Sequence, residues 1–509
     1  MRDLSDKREF GKKTGRLMTK SLYGLILCAL LFLCGCDLAD KIKEKIFPQA
    51  ETEAEETSDS GQYRQNPDAE PVIVINAADI KVDFTADVTP TPTPAPFVYE
   101  EIYDDENKTY SKETKSLEEV VLTFIGDISF AEGYANMNAL YAGKSGILGC
   151  IKPEVIEGLN DSDIFFANNE FPYSSRGSAT RGKKFTFRAK PENVSFLHDI
   201  GVDIVSLGNN HAYDFGPEAL LDTFDILEEA KIPYVGAGRN INEAMKPVYY
   251  KVNGRTIAFT SATQIERFAN PDTKEATEDS PGVLRTLDPS RMLACIRDAE
   301  ENSDFVVVYV HWGSENTDLV DDSQKKLAAE YATAGADLII GDHSHCLQGI
   351  DYVEGVPVIY SLGNFWFNSR TIDTGFVRVV LDTPQSFDEA VKLRSFEFVP
   401  CIQKGCRTYL ADQENKERIL SYLQGISRYA LVNPDGHIEP SDTNHNIQNG
   451  ANTSPSRQFL NNNTDNTQEE EAAEETVPVD PMTELLLQQQ ALLEQAAQGE
   501  AGSEPSEGE

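Results

Sequence analysis

Six short apolar runs in the middle of this chain each stop at a polar residue able to hold a metal ion or move a proton, and that repetition constrains the fold most. Val120 to Ile125 runs into Gly126-Asp127, and Ile164 to Ala167 into Asn168-Asn169-Glu170. Val202 to Leu207 is followed by Gly208-Asn209-Asn210-His211, with Asp214 close behind and Pro217 opening a helical pattern. Phe305 to Val310 ends in His311-Trp312-Gly313-Ser314-Glu315, Ala336 to Ile340 in Gly341-Asp342-His343-Ser344-His345, and Val356 to Tyr360 in Ser361-Leu362-Gly363-Asn364. A turn residue or helix cap explains any one of these endings. Six of them in alternation with helical segments predict an α/β fold whose strand ends converge on one crevice. Four of the seven histidines lie directly after such strands. Imidazole mixed with hard oxygen suits zinc, iron or manganese, and the glycine before His343 and His345 lets backbone approach an ion.

The rest of the chain is different in kind. Residues 1–36 carry a basic start and an apolar run from Leu22 to Leu33, too short for a comfortable membrane span and readable as an export signal. Residues 37–116 hold acidic clusters and alternating Thr-Pro from Thr89 to Pro96, a stiff extended stalk with one isolated strand-like run, Val72 to Ile80. From 441 to 509 the chain turns Asn-, Gln-, Ser- and Glu-rich, which predicts a disordered tail with at most a transient helix over 482–497. The expected folded domain is 117–440. Of the net charge of −39, about half falls on that central region, which argues against nucleic acid as a partner. Beyond the signal region the cysteines are Cys150, Cys295, Cys346, Cys401 and Cys406; no CxxC pair suggests a structural zinc knuckle, and Cys401 and Cys406 are near enough in sequence for a disulfide.

Leu33-Cys34-Gly35-Cys36 resembles the lipobox of bacterial lipoproteins, which implies acylation of Cys36 and anchorage on the extracytoplasmic face of the cell membrane. The central stretches FIGDISF (124–130), DIFFANNE (163–170), VDIVSLGNNHAYDFG (202–216), YVHWGSE (309–315), GADLIIGDHSHCLQGID (335–351) and YSLGNFWF (360–367) resemble the poly-γ-glutamate capsule synthesis CapA family of calcineurin-like metallophosphoesterases. The resemblance implies a four-layer α-β-β-α sandwich of two mixed sheets with the site at the strand ends. It implies one or two divalent ions, Mn, Fe or Zn: Asp127 and His345 as ligands of one position, Asn210, His311 and His343 of the other, and Glu170 in the bridging place. His211 matches the histidine that protonates the leaving group, with Asp214 orienting it. Asn168, Arg188, Glu315 and Asn364 are the candidate substrate contacts. Implied partners are an anionic envelope polymer or a phosphoester, and a membrane-bound poly-γ-glutamate synthase complex.

Two residues depart from the wider superfamily. Ser129 stands where Asp-x-His would place an imidazole, and the bridging residue is Glu170 rather than aspartate. These changes favour the fold and site over a standard phosphatase activity, so a metal-dependent hydrolase competes with a non-catalytic scaffold that binds the polymer or its synthase, and with a surface-adhesive lipoprotein. The strip Arg176, Arg181, Lys183, Lys184 and Arg188 reads either as a solvated strand face or, beside the crevice, as a holder of anions.

Overall fold

The computed structural model describes residues 99–266, 273–386 and 388–445. The signal segment with Cys36, the stalk up to residue 98, the strand expected at 72–80 and the tail with its helix over 482–497 lie outside the described residues.

The first half of the chain supplies β1 (Tyr103–Asp104), β2 (Thr109–Ser111), β3 (Glu119–Ile128), β4 (Ile164–Asn169), β5 (Ile204–Ser206), β6 (Tyr234–Val235), β7 (Ala237–Gly238), β8 (Val248–Val252) and β9 (Arg255–Thr263). The second supplies β10 (Gly282–Val283), β11 (Phe305–His311), β12 (Leu338–Asp342), β13 (Ile350–Val353), β14 (Val356–Ile359), β15 (Asn364–Trp366), β16 (Ile372–Asp382), β17 (Lys392–Gln403), β18 (Thr408–Leu410), β19 (Ala430–Val432) and β20 (Ile438–Pro440). One sheet runs β1-β2-β8-β9-β11-β12-β14-β13, the other β18-β17-β16-β3-β4-β5-β6 with β15 beside β3. Each has a parallel centre: β9, β11, β12 and β14 in one, with antiparallel β8 and β13 on either side, and β3 to β6 in the other, with antiparallel β16 beside β3.

Alternation along the strands builds the layers. On β11, Phe305, Val307 and Tyr309 enter the core between the sheets, while Val306, Val308 and Val310 face outward under the helices Ser290–Asn302 and Asp322–Ala334. On β4, Ile164 and Phe166 point inward, and Phe165 and Ala167 pack outward with Pro153–Asn160, Ser195–Ile200 and Pro217–Glu229. The result is the four-layer α-β-β-α sandwich that the motifs implied. Between the sheets Phe166 stacks on Tyr309 at 4.6 Å and on Phe259 at 5.8 Å, tying β4 to β11 and β9.

The structure corrects two boundaries. The strands run further than their apolar cores, so Asp127, Asn168, His311 and Asp342 are the closing residues of strands and not loop residues. Their side-chain directions are therefore set by the sheet pleat. The stretch 103–111, read from composition as the end of the stalk, supplies β1 and β2: Thr109–Ser111 lies parallel to β8, Tyr110 is buried, and Lys112 pairs with Asp203 across to the second sheet. The five cysteines from Cys150 onward are free and buried, so Cys401 and Cys406 form no bridge.

Candidate metal centre

Gly126 brings the first site strand into place. A Cβ there would sit 2.0 Å from the carbonyl oxygen of Gly363, and without one the Asp127 amide donates to that oxygen at 3.0 Å. Asp127 and Asn364 thereby become partners in the β3–β15 register. β4 and β5 run parallel beside β3 and deliver Asn168 and Glu170, then the loop 208–216; β11 and β12 of the other sheet deliver His311, Asp342, His343 and His345. His343 and His345 have φ of 95° and 58°, left-handed values that cost energy in a non-glycine residue and that turn both rings into the crevice.

The side chains converge closely. His311 Nε2 lies 2.8 Å from Asn210 Oδ1, 3.0 Å from His343 Nδ1 and 3.5 Å from Glu170 Oε1. Its Nδ1 lies 2.7 Å from Asp342 Oδ1, whose other oxygen lies 2.9 Å from the Tyr309 hydroxyl. His345 Nδ1 donates to Asn364 Oδ1 at 2.8 Å and approaches Asp127 Oδ2 at 3.2 Å. Asn168 donates to Asp127 Oδ1 at 2.9 Å, and Asn209 in turn donates to Asn168 Oδ1 at 3.0 Å. Glu170, His311 and His343 form one group with all ligand atoms within 4.8 Å of one another; Asp127, Glu170 and His345 form a second.

Burial dominates the electrostatics. It pushes the imidazole of His311 down to about 3 and that of His343 well below its ordinary value, so both are neutral, with lone pairs available to a cation. Burial, with the charges of Asp127 and Asp342 added, holds the Glu170 carboxyl well above the usual carboxylate range. Both Glu170 oxygens are buried without a hydrogen-bond partner. A carboxylate shared by two groups of imidazole and oxygen donors, and satisfied by neither, is a donor set that fits divalent metal. At the second group burial opposes ionisation of Asp127 and of His345, but their mutual attraction outweighs it: Asp127 is held low and His345 is raised.

Beside the cluster, His211 Nδ1 donates to Asp214 Oδ2 at 2.6 Å, and its Nε2 faces Glu170 Oε1 at 3.8 Å. The Phe187 ring covers the imidazole at a centroid distance of 4.2 Å. Burial lowers the His211 pKa against the pull of Asp214.

Asp127, Asn168, Glu170, Asn210, His211, Asp214, His311, His343, His345 and Asn364 thus come together. Arg188 does not join them as a substrate contact: its guanidinium lies 4.1 Å over the Phe215 ring and donates to the Arg176 carbonyl at 3.0 Å. Glu315 is exposed on the loop after β11, where its charge still acts on Glu170 and His345. The basic strip splits. Arg176 pairs with Asp222, Arg181 and Lys184 are exposed, and Lys183 turns its side chain inward onto Asp214. Sequence reasoning missed Asp342, Asn209 and Lys183 as site residues. Asp342 carried a signal, since it stands at a strand end between Gly341 and His343; Lys183 carried none, because nothing local distinguishes it from its basic neighbours.

The profile of a family described as bacterial capsule synthesis protein PGA_cap matches residues 121–369. The chain is 33% identical over 278 residues to the PGA biosynthesis protein CapA of Bacillus subtilis, covering 53% of this chain and 69% of that one. It is also 33% identical over 321 residues to the capsule biosynthesis protein CapA of Bacillus anthracis, covering 60% and 73%. Among solved structures, the calcineurin-like phosphoesterase YfkN of Bacillus subtilis aligns over 56% of this chain and 90% of its own, with 14% identity and a TM-score of 0.33.

Proposed function

The chain belongs to the CapA family of bacterial capsule synthesis proteins, and from that premise we propose that it is a metal-dependent hydrolase serving synthesis or export of an anionic envelope polymer. The observation that carries this reading is Glu170, a fully buried carboxylate with both oxygens unpartnered between two ligand groups. Asp127, His345 and Glu170 would hold one ion, and His311, His343, Asn210 and Glu170 a second. When bound, divalent ions would supply Lewis acidity, activating water and offsetting charge on a phosphoryl or acyl oxygen. The chain's own groups do the rest. Asp342 holds Nδ1 of His311 so that Nε2 points at the centre, and Asn168 and Asn364 orient Asp127 and His345. His211, held at Nδ1 by Asp214, would in its imidazolium form give the proton on Nε2 to the leaving group and keep the one on Nδ1.

The scaffold reading accounts for the fold and the ligand groups but gives no role to a buried His211–Asp214 pair aimed at them. Metal analysis of the purified protein, combined with a screen of phosphomonoesters, phosphodiesters and γ-linked glutamate polymer, tests the choice. Cleavage that requires the bound metal supports hydrolysis; metal-loaded protein that cleaves none of these leaves the scaffold. We further propose a lipid on Cys36 that holds the domain at the extracytoplasmic face, beside a membrane synthase. Its support is the signal-like start of the chain and the capsule-synthesis naming of the relatives. Membrane fractionation of the full chain and of Cys36→Ser tests it: wild-type protein found wholly in the soluble fraction would end the idea.

A further inference from the structure

The segment 174–190 is fastened to the loop 209–216 along its length. Thr180 donates through its amide and its hydroxyl to the Asp214 carbonyl, at 2.8 and 3.0 Å, and the Phe187 amide donates to Asp214 Oδ2 at 2.7 Å. Lys183 lies between these two attachments. Its side chain is 7% exposed, and its ammonium donates to Asp214 Oδ1 at 2.6 Å and to the Asn210 carbonyl at 2.7 Å. Asp214 is completely buried and gives its other oxygen to His211 Nδ1 at 2.6 Å. One ammonium therefore holds both the carboxylate that orients His211 and the backbone of the residue whose amide oxygen meets His311.

We propose that Lys183 is a positioning residue of this site, the third member of a Lys183–Asp214–His211 chain that fixes the imidazole with Nε2 toward Glu170. The proposal rests on the reading of His211 as the proton donor. A buried ion pair adds little net stability compared with apolar side chains of similar size, because desolvation of both charges offsets their attraction. What the pair does provide is direction. With Oδ1 occupied by Lys183 and Oδ2 shared between His211 and the Phe187 amide, the carboxylate has no freedom to rotate. The imidazole, covered on one face by Phe187, has a single orientation left. A solvated basic strip, the alternative for this residue, requires exposure that Lys183 does not have.

The test compares Lys183→Met, Lys183→Arg, Asp214→Asn and the Lys183→Met/Asp214→Asn double variant in the intact protein. Four quantities are measured: bound metal, melting temperature, turnover of bis(p-nitrophenyl) phosphate, and the downfield proton NMR signal of His211 Nδ1–H. Lys183→Met should keep the metal stoichiometry, shift or broaden that proton signal, and lower kcat on the order of tenfold to a hundredfold with little change in KM, as expected for misorientation. Lys183→Arg, which retains a cation, should recover part of both effects. The double variant should be no worse than Asp214→Asn alone, since the lysine acts through that carboxylate. An unchanged His211 proton signal in Lys183→Met overturns the proposal, and so does loss of metal in that variant, which would place the role at Asn210 instead. If wild-type protein turns over no phosphoester, the hydrolase reading fails by itself and the proton signal still decides the role of Lys183. Should Lys183→Met not fold, the double variant lacks both buried charges, and its proton signal set against that of Asp214→Asn decides the matter.

Discussion

At the scale of the residue, two histidines that look alike in the sequence are placed differently. His343 faces His311 and Glu170 inside the cluster, whereas His211 stands beside it with its Nδ1 committed to Asp214. His343→Ala should lower bound metal and melting temperature together, because a lost ligand takes with it binding energy that stabilises only the folded state. His211→Ala should keep metal and melting temperature nearly unchanged and lower turnover by about two to four orders of magnitude, the range for a general acid. Metal analysis and calorimetry on both variants separate these roles, and loss of metal in His211→Ala would make it a ligand.

The pKa directions predict a pH dependence for metal-free protein. His311 is held near about 3 and His343 is lowered as well, so between the ordinary value of 6.5 and those depressed values the unfolded chain binds protons that the folded one does not. Their contribution is complete above about pH 6.5 and is lost as pH falls toward about 3. Glu170 has the opposite sign. Its raised pKa means the folded state holds a proton the unfolded chain has released, so stability is lost as pH rises from the ordinary 4.5 through the raised value. Metal bound to the Glu170 carboxylate would relieve that cost. Thermal melts with and without added Mn²⁺ should therefore show a larger metal-induced shift at about pH 8 than at about pH 5; equal shifts would mean that Glu170 is not a ligand.

At the scale of the element, the segment 99–116 behaves as part of the domain. Tyr110 packs against Tyr250 at 6.0 Å, the Lys115 amide donates to Asp163 Oδ1 at 3.0 Å, and Lys108 reaches the Tyr234 carbonyl at 3.3 Å. A chain starting at Leu117 exposes the edge of β8 and strips these bonds, so it should melt several degrees below one starting at Tyr99, at roughly 2–4 °C per kcal/mol. Equal melting temperatures would return the boundary to 117. The sequence hid this segment because its neighbours are acidic and its partner strand lies far along the chain, where no local period registers the pairing. The central strands were legible for the opposite reason. Phe305 to Val310 and Val120 to Ile125 are buried on both faces, and a strand covered on both sides must be apolar throughout.

At the scale of the whole molecule, the site lies where two sheets meet, and each half contributes to both ligand groups: Glu170 comes from β4, while His311, His343 and His345 come from the end of the other sheet. Metal bound there would therefore link the sheets. Removal with a chelator should cost the folded state about 2.7 kcal/mol per site for metal present at 100 times its dissociation constant, and so lower the melting temperature of the entire described domain in one transition. A calorimetric trace in which the transition splits, or does not move, would show that the ions do not couple the layers.

By itself the sequence determined the parallel α/β core, the strand-end placement of Asp127, Glu170, Asn210, His311, His343 and His345, and the family, because each is written in a short contiguous stretch. The strand period and the metal-binding character of a side chain are local properties. The tertiary structure alone decided that Lys183 turns inward while Arg188 lies over Phe215, that Asp342 backs His311, and that β2 completes a sheet edge. Those outcomes depend on which groups the fold buries side by side. A buried charge takes the partner brought within about 3 Å, and sequence spacing does not encode that distance.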